Sequence, residues 1–318
     1  MKNLYFKLEN LNPTGSYKDR FASAFVSSLL HNKTTSCIST SSGNTGAALA
    51  AYCAAAGIDC QLVIVDGAPA AKIQQMQVYG GKPIMIRGFG IDADITREVF
   101  STLQQFTSKN NSSLPISAYC YCPEGMAGVQ TIAYEILDEL NEQVDHIFSP
   151  SGGGGLTLSI VKGLDTYAKK SLSCKVHCIQ PEGNNTIAGP LCEGLASASK
   201  IDASTTSISG LQVPGILDGN ATLLGCRSTG GTGFIVKDET VYTTQVELAR
   251  REGIFCEPAG AVSVACLAGA IKQNIVKPAD HIVCLITGSG FKDMNSIAAH
   301  FNLPGIKTYD NINTYLNF

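Results

Sequence analysis

The chain has 318 residues, 44% of them hydrophobic and 15% charged, with 32 glycines and a formal net charge of −3. That length suffices for two packed domains, and the composition excludes a disordered or low-complexity chain. The slightly acidic balance leaves no basic footprint for nucleic acid or an anionic membrane surface, and no run reaches the roughly 18 apolar residues of a membrane span, so small-molecule chemistry is expected. The twelve cysteines are scattered through apolar segments, as at Cys53, Cys60, Cys178, Cys266 and Cys284. They read as small hydrophobes in a reducing, cytoplasmic compartment. Cys120 and Cys122 come nearest to metal-ligand spacing but lack a second pair or a nearby His, and no metal is expected.

In chain order, an alternating run at 4–8 predicts a strand that passes into Asn10-Leu11-Asn12-Pro13-Thr14-Gly15-Ser16-Tyr17-Lys18-Asp19-Arg20. Pro13 and Gly15 predict a turn, and Ser16 is placed to cap a helix whose first turn holds Tyr17, Lys18 and Asp19. The helix dipole disfavours a cation there by roughly 0.3–1 kcal/mol, which favours the free amine that Schiff-base chemistry needs. Taken alone, the stretch fits a solvated surface lysine equally well. A helix over 21–30 follows, then a strand at 37–40 that leads through Ser41-Ser42-Gly43-Asn44-Thr45-Gly46 into a helix over 47–56. Strands are expected at 61–65 and 83–87, helices over 70–79 and 91–108, and a polar loop at 109–113.

A long helix is expected over 128–141, a strand at 146–148, a glycine turn at 152–155, a helix over 156–169 and a strand at 175–180. Residues 198–233 lack periodicity and predict a surface excursion with one or two short helices. Helices over 240–252 and 259–272, a strand at 282–286 and a turn at 287–290 complete the pattern; the tail from 298 carries no motif. Strand–helix alternation of this kind predicts parallel sheets with helices on both faces, with a domain change near 125–145.

Three strand-to-helix turns are rich in groups that could hold one phosphorylated ligand. In Ser151-Gly152-Gly153-Gly154-Gly155, four glycines let backbone N–H groups approach an anion at a helix start, although a plain tight turn has the same composition. Neither the P-loop pattern nor a clean dinucleotide turn is present. Ser41, Ser42, Asn44 and Thr45 suit a carboxylate, or an ordinary helix cap. Thr287 ends a buried strand, where ligands of open α/β folds bind. The five histidines, His31, His146, His177, His281 and His300, are expected at the surface or at strand edges, Lys292 and Asp293 as a solvated pair, and Glu257 as a cap of the helix opened by Pro258 or, alternatively, as a group that reaches the active site.

In this order, Asn12 to Arg20, Ser42-Gly43-Asn44-Thr45, Glu252 to Ala259 and Leu285 to Asp293 resemble the β-family, or fold type II, of pyridoxal-phosphate enzymes, and among these the threonine synthases. The resemblance spans nearly the whole chain. It implies an α/β fold of two open sheet domains with flanking helices, tryptophan-synthase-β-like, with a smaller domain at 35–130 and a larger one formed by 1–34 plus 131–318. It implies that Lys18 holds pyridoxal phosphate as a Schiff base and moves the Cα proton. Asn44 would bond the phenolic oxygen, Gly152, Gly153, Gly154 and Gly155 the phosphate, and Thr287 would face the pyridine nitrogen. Ser41, Ser42 and Thr45 would hold the carboxylate of a small amino-acid substrate, and the protein would be a homodimer.

The family usually has a serine and an arginine for the substrate phosphate where this chain has Cys120 and Gly125, and it usually has a segment before the lysine turn that is mostly absent here. Loss of a bidentate phosphate partner is not conservative. The expected activity is elimination or replacement at Cβ or Cγ. A serine or threonine dehydratase-like deaminase and a cysteine- or cysteate-synthase-like replacement stand beside the threonine-synthase-like reading. A non-catalytic metabolite-binding protein on the same fold, or a nucleotide-binding α/β protein, is the alternative of another class.

Overall fold

The computed structural model describes residues 3–66, 70–110, 112, 114–167, 173–301, 305–308 and 312. The strands are β1 (Leu4–Leu8), β2 (Ser36–Thr40), β3 (Asp59–Ile64), β4 (Lys82–Met85), β5 (His146–Pro150), β6 (Lys175–Pro181), β7 (Gly233–Val236) and β8 (Ile282–Ile286). They form a five-stranded sheet in the order β1-β8-β5-β6-β7 and a three-stranded sheet β2-β3-β4, and every pairing is parallel. β5 and β8 are buried at every residue, as strands covered on both faces must be. Leu8 pairs with Ile286 across β1 and β8. The turns carrying Lys18 and Thr287 therefore leave the sheet side by side, although 269 residues separate them.

Helix starts fall earlier than their apolar periodicity suggests. α1 (Lys18–His31) and α2 (Asn44–Ala56) each begin three residues before the expected start, because their first turns carry polar residues that the ligand cavity, not the core, requires. α3 (Ala70–Val78) and α4 (Ala93–Lys109) follow expectation, and Asp92 caps α4 by accepting from the Asp94 and Ile95 N–H groups. The single helix expected over 128–141 is two, α5 (Pro123–Val129) and α6 (Thr131–Glu139). Pro123 starts α5 with its fixed φ. Gly125 and Gly128 let it lie against α1, since a Cβ would come within 2.4 Å of the Phe21 ring and 2.3 Å of the Arg20 carbonyl oxygen.

α7 (Gly155–Tyr167) follows β5, while α8 (Ala188–Cys192), too short to show periodicity, and the four-residue edge strand β7 were not expected. The excursion over 198–233 carries α9 (Gly219–Ser228). α10 (Asp238–Glu247) runs into a π-helical turn, Leu248–Glu252, and the helix expected over 259–272 is broken at Cys266 into α11 (Pro258–Ala265) and α12 (Leu267–Lys272). α13 (Met294–His300) was not expected; Asp293 caps it through the Ser296 N–H. The end of the helix expected over 156–169, parts of the 109–113 loop and most of the tail lie outside the described residues.

Two of the histidines expected at the surface or at strand edges are buried on strands inside the five-stranded sheet: His146 and His177 are 2% and 1% exposed. The Thr232 N–H donates to His177 Nδ1 at 3.1 Å, which leaves the proton on His177 Nε2 to donate to His146 Nδ1 at 2.9 Å; His146 Nε2 then donates to Asp280 at 3.2 Å. Every ring nitrogen is satisfied with both rings neutral. Burial pushes the His177 imidazole down to about 3, with His146 beside it adding to the effect.

Candidate active site

The lysine turn is held by its own sequence. Gly15 takes φ of 84°, a left-handed value glycine tolerates, and the buried Asp19 carboxylate accepts from the Thr14 N–H at 2.7 Å and from the Thr14 hydroxyl. The Tyr17 N–H donates to the Thr287 carbonyl at 3.0 Å, and the Ser289 N–H to the Gly15 carbonyl at 2.9 Å, so the turn is stitched to the end of β8. Behind it, the Arg20 guanidinium bonds both Glu9 and Glu135 through paired N–H groups at 2.6–2.7 Å. This bidentate geometry fixes α1 against α6 and, with Lys7 beside it, holds the Glu135 carboxyl down at about 2. Ser16 does not cap α1. Its hydroxyl is buried without a partner among the described residues, and Tyr17 occupies the cap position.

Lys18 opens α1 and points its amine into a cavity of about 480 Å³ between the two sheets. The amine donates to the Tyr17 hydroxyl and to the Ser117 Oγ, both at 2.6 Å. Every site residue expected from the sequence lines this cavity: Lys18, Ser41, Ser42, Asn44, Thr45, Gly152 to Gly155 and Thr287. They come from four separate stretches, each at the carboxyl end of a parallel strand. Gly155 opens α7, so the tetraglycine backbone meets the cavity at a helix start. The Thr287 hydroxyl is buried and without a partner among the described residues. Ser42 accepts from the Val65 N–H at 3.0 Å, Ser41 from the Gly43 N–H at 3.3 Å, and Thr45 shares a 3.3 Å contact with Ser117.

Several lining residues carried little sequence signal. Glu257 occupies the cap position of α11, but its side chain makes no capping bond; it is 4% exposed and, as the alternative reading expected, turns to the cavity, where it accepts from Asn44 Nδ2 at 3.0 and 3.2 Å. Burial raises its carboxyl above the ordinary range, with the Asn44 bond opposing that rise. A Cβ on Gly288 would lie 2.1 Å from its Oε1, which explains glycine after Thr287. Lys72 donates to Ser209 at 2.6 Å across the cavity mouth. Lys292 is not one of a solvated pair but donates to Gln75 at 3.1 Å. Glu257, Lys72 and Ser117 each reach the cavity from a segment whose local pattern is that of a plain cap, helix or loop. Cys120 and Gly125 do not line it: Cys120 is exposed, and Gly125 is buried against Phe21.

A family model described as pyridoxal-phosphate dependent enzyme matches residues 1–288. The threonine synthase of Methanosarcina acetivorans is 32% identical over 304 residues, covering 93% of this chain and 72% of that one. That of Methanocaldococcus jannaschii is 33% identical over 305 residues, covering 92% and 71%. Among solved structures, a fungal L-serine ammonia-lyase from Rhizomucor miehei matches with a TM-score of 0.77 at 19% identity over 93% of this chain and 91% of that one. The processed form of threonine deaminase isoform 2 from Solanum lycopersicum matches with 0.76 at 22% identity over 95% and 79%; both likenesses show the fold. The chain belongs to the fold type II family of pyridoxal-phosphate dependent enzymes, is similar to threonine synthases, and takes pyridoxal phosphate as its cofactor.

Proposed function

We propose that this enzyme eliminates or replaces a substituent at Cβ or Cγ of a small amino acid, in a threonine-synthase-like reaction, with Lys18 as the cofactor-bearing residue. One observation carries the reading: the Lys18 amine, the Asn44 amide, the glycine backbone at the start of α7 and the unpartnered Thr287 hydroxyl face a single cavity. These groups fit pyridoxal phosphate by chemistry. A buried hydroxyl with no partner among the described residues would suit a ring nitrogen, and side-chain-free backbone at a helix start suits a phosphate. The chemistry the cofactor supplies when bound is covalent capture of the substrate amine and a conjugated ring that draws electrons from Cα.

The chain's residues do the rest. Lys18 would hold the cofactor and, as a free amine, would move the Cα proton; the hydroxyls of Tyr17 and Ser117, 2.6 Å from its amine, keep that amine aimed. Asn44 donates to the phenolic oxygen with the N–H that Glu257 leaves free. Ser41, Ser42 and Thr45 hold the substrate carboxylate at the start of α2, where the helix dipole favours an anion. Thr287 offers the ring nitrogen no negative partner, so electrons drawn from Cα are held weakly and prompt loss of a leaving group is favoured over transamination.

A dehydratase-like second reading is favoured by Cys120 and Gly125, which supply no phosphate partner and do not line the cavity. An assay for ammonia and keto acid against serine, threonine, O-phosphoserine, O-acetylserine and O-phosphohomoserine separates the two. Release of threonine from O-phosphohomoserine supports replacement; keto acid from every substrate, with or without added nucleophile, refutes it. Borohydride reduction with mass mapping tests the anchor. Protein that takes up no pyridoxal phosphate on Lys18 would turn the reading to a binding protein. The same proposal takes 35–130 as the smaller domain, 1–34 with 131–318 as the larger, a homodimer testable by sedimentation, and a cytoplasmic setting supported by twelve unpaired cysteines.

A further inference from the structure

Three of the cysteines meet away from the cavity. Cys37 lies on β2, and its partner across the parallel ladder is Cys60 on β3. Cys53 comes from the last turn of α2. Gly57 ends that helix with φ of 67°, and the Ile58 N–H donates to the Cys53 carbonyl at 2.9 Å. This left-handed closure folds the chain straight back and returns Cys60 beside Cys53. The three Sγ atoms lie within 4.8 Å of one another, and the thiols are free and buried, at 3%, 0% and 3% exposure. Sulfur bonds of about 2.3 Å to one pyramidal or tetrahedral centre would set three sulfurs about 3.4–3.8 Å apart, so a single atom reaches all three once the side chains close in by about 1 Å or less.

We propose that Cys37, Cys53 and Cys60 form a three-thiol binding site for a trivalent thiophilic metalloid of the arsenic(III) class. Charge decides the class. The three thiols belong to the apolar cluster that includes Phe25, Leu29, Leu49, Ile58 and Leu62. The charged group that bears on Cys53 and Cys60 is the Asp59 carboxylate, itself paired with Lys82. Zinc on three thiolates would be left negative and short of a fourth ligand, and among the described residues no other His, Cys, Asp or Glu joins the group. Copper(I) would leave two negative charges, which an apolar core opposes strongly. A trivalent centre leaves none. Arsenous acid, As(OH)₃, exchanges its three hydroxyls for three sulfurs; three As–O and three S–H bonds break, three As–S and three O–H bonds form, three waters leave, and no atom changes oxidation state.

The widely spaced positions 37, 53 and 60 carry no short-range ligand motif, so only the fold brings them together. The test uses the holoenzyme incubated with sodium arsenite, desalted and weighed by native mass spectrometry, with thiols counted after denaturation. One arsenic per chain with three protons lost and three thiols protected is the expected result. Because the second and third bonds form within one molecule, Cys37→Val, Cys53→Ala and Cys60→Ala should each weaken binding by about 10²-fold or more. Replacing the exposed Cys120 and Cys192 by alanine should leave it unchanged. Retained cofactor absorbance in each variant reports an intact fold. Arsenic held equally well by the three core variants, or a wild-type enzyme that takes up none while all its thiols still titrate, overturns the site.

Discussion

Removing the Glu257 carboxylate tests whether Asn44 is held in position by it. The two Asn44 contacts at 3.0 and 3.2 Å use one amide nitrogen and fix which way the amide faces, since a carboxylate accepts and does not donate. A hydrogen bond to an ionised group contributes about 1.5–3 kcal/mol and a neutral one about 1. Burial raises the Glu257 carboxyl, so the expected loss lies between these values, roughly 10-fold in affinity for pyridoxal phosphate on Glu257→Ala. Glu257→Gln can turn its carbonyl to Asn44 and should keep most of that affinity. Cofactor dissociation followed by absorbance measures both, and a cycle with Asn44→Ala supplies the decisive comparison. If Glu257 acts through Asn44, the double variant is no worse than Asn44→Ala alone. Fully additive losses would refute the positioning argument. Stability gives a second readout with a defined sign: a carboxyl raised in the folded state binds more protons there, so its contribution falls as pH rises above the unfolded value of about 4.3. Glu257→Gln should remove that component of the slope.

Lys18→Ala should lose at least about 10²-fold in turnover, and borohydride should fix no cofactor to position 18; retention of a tenth of wild-type activity contradicts the assignment. Gly153→Asp should weaken cofactor binding by setting a carboxylate against the phosphate, while its Cβ meets the Leu217 side chain at 3.0 Å and Val213 Cγ1 at 3.3 Å; unchanged retention moves the phosphate site elsewhere. His177, held down at about 3, must gain a proton on unfolding below about pH 6.5. Stability should therefore be complete above that value and fall by about 1.4 kcal/mol per pH unit below it. Urea unfolding at stepped pH measures the slope, and His177→Leu, which cannot titrate, should flatten it.

The strands and turns that build the cavity were readable because their signals are local. The apolar run at 282–286 is buried at every position and matches β8 residue for residue, and Gly15 and Gly57 adopt the left-handed conformations that mark turns. What escaped was non-local. Glu257 before a proline reads first as a cap until β8 brings Gly288 beneath it. His146 and His177 look like isolated polar residues until strand pairing sets them 2.9 Å apart. The break at Gln130 and the short β7 fail for another reason: a one-residue interruption and a four-residue strand fall below the length at which periodicity distinguishes anything.

The topology also explains how Lys18, the proposed cofactor lysine, comes to lie beside Thr287. β1 is an edge strand of the five-stranded sheet and pairs with β8, so two strands far apart in sequence lie side by side. Lys18 therefore meets Thr287 through two adjacent strand ends rather than through a long loop, and the backbone bonds Tyr17 to Thr287 and Ser289 to Gly15 fix their spacing. The loop at 41–45, proposed to hold the substrate carboxylate, comes from the other sheet, and the Asn44–Glu257, Lys72–Ser209 and Lys292–Gln75 contacts tie that side of the molecule to the other. The proposed cofactor groups on the five-stranded sheet are thus held by continuous backbone, whereas the part of the chain that carries Asn44 and the proposed substrate groups meets them through side-chain contacts, each worth about 1 kcal/mol.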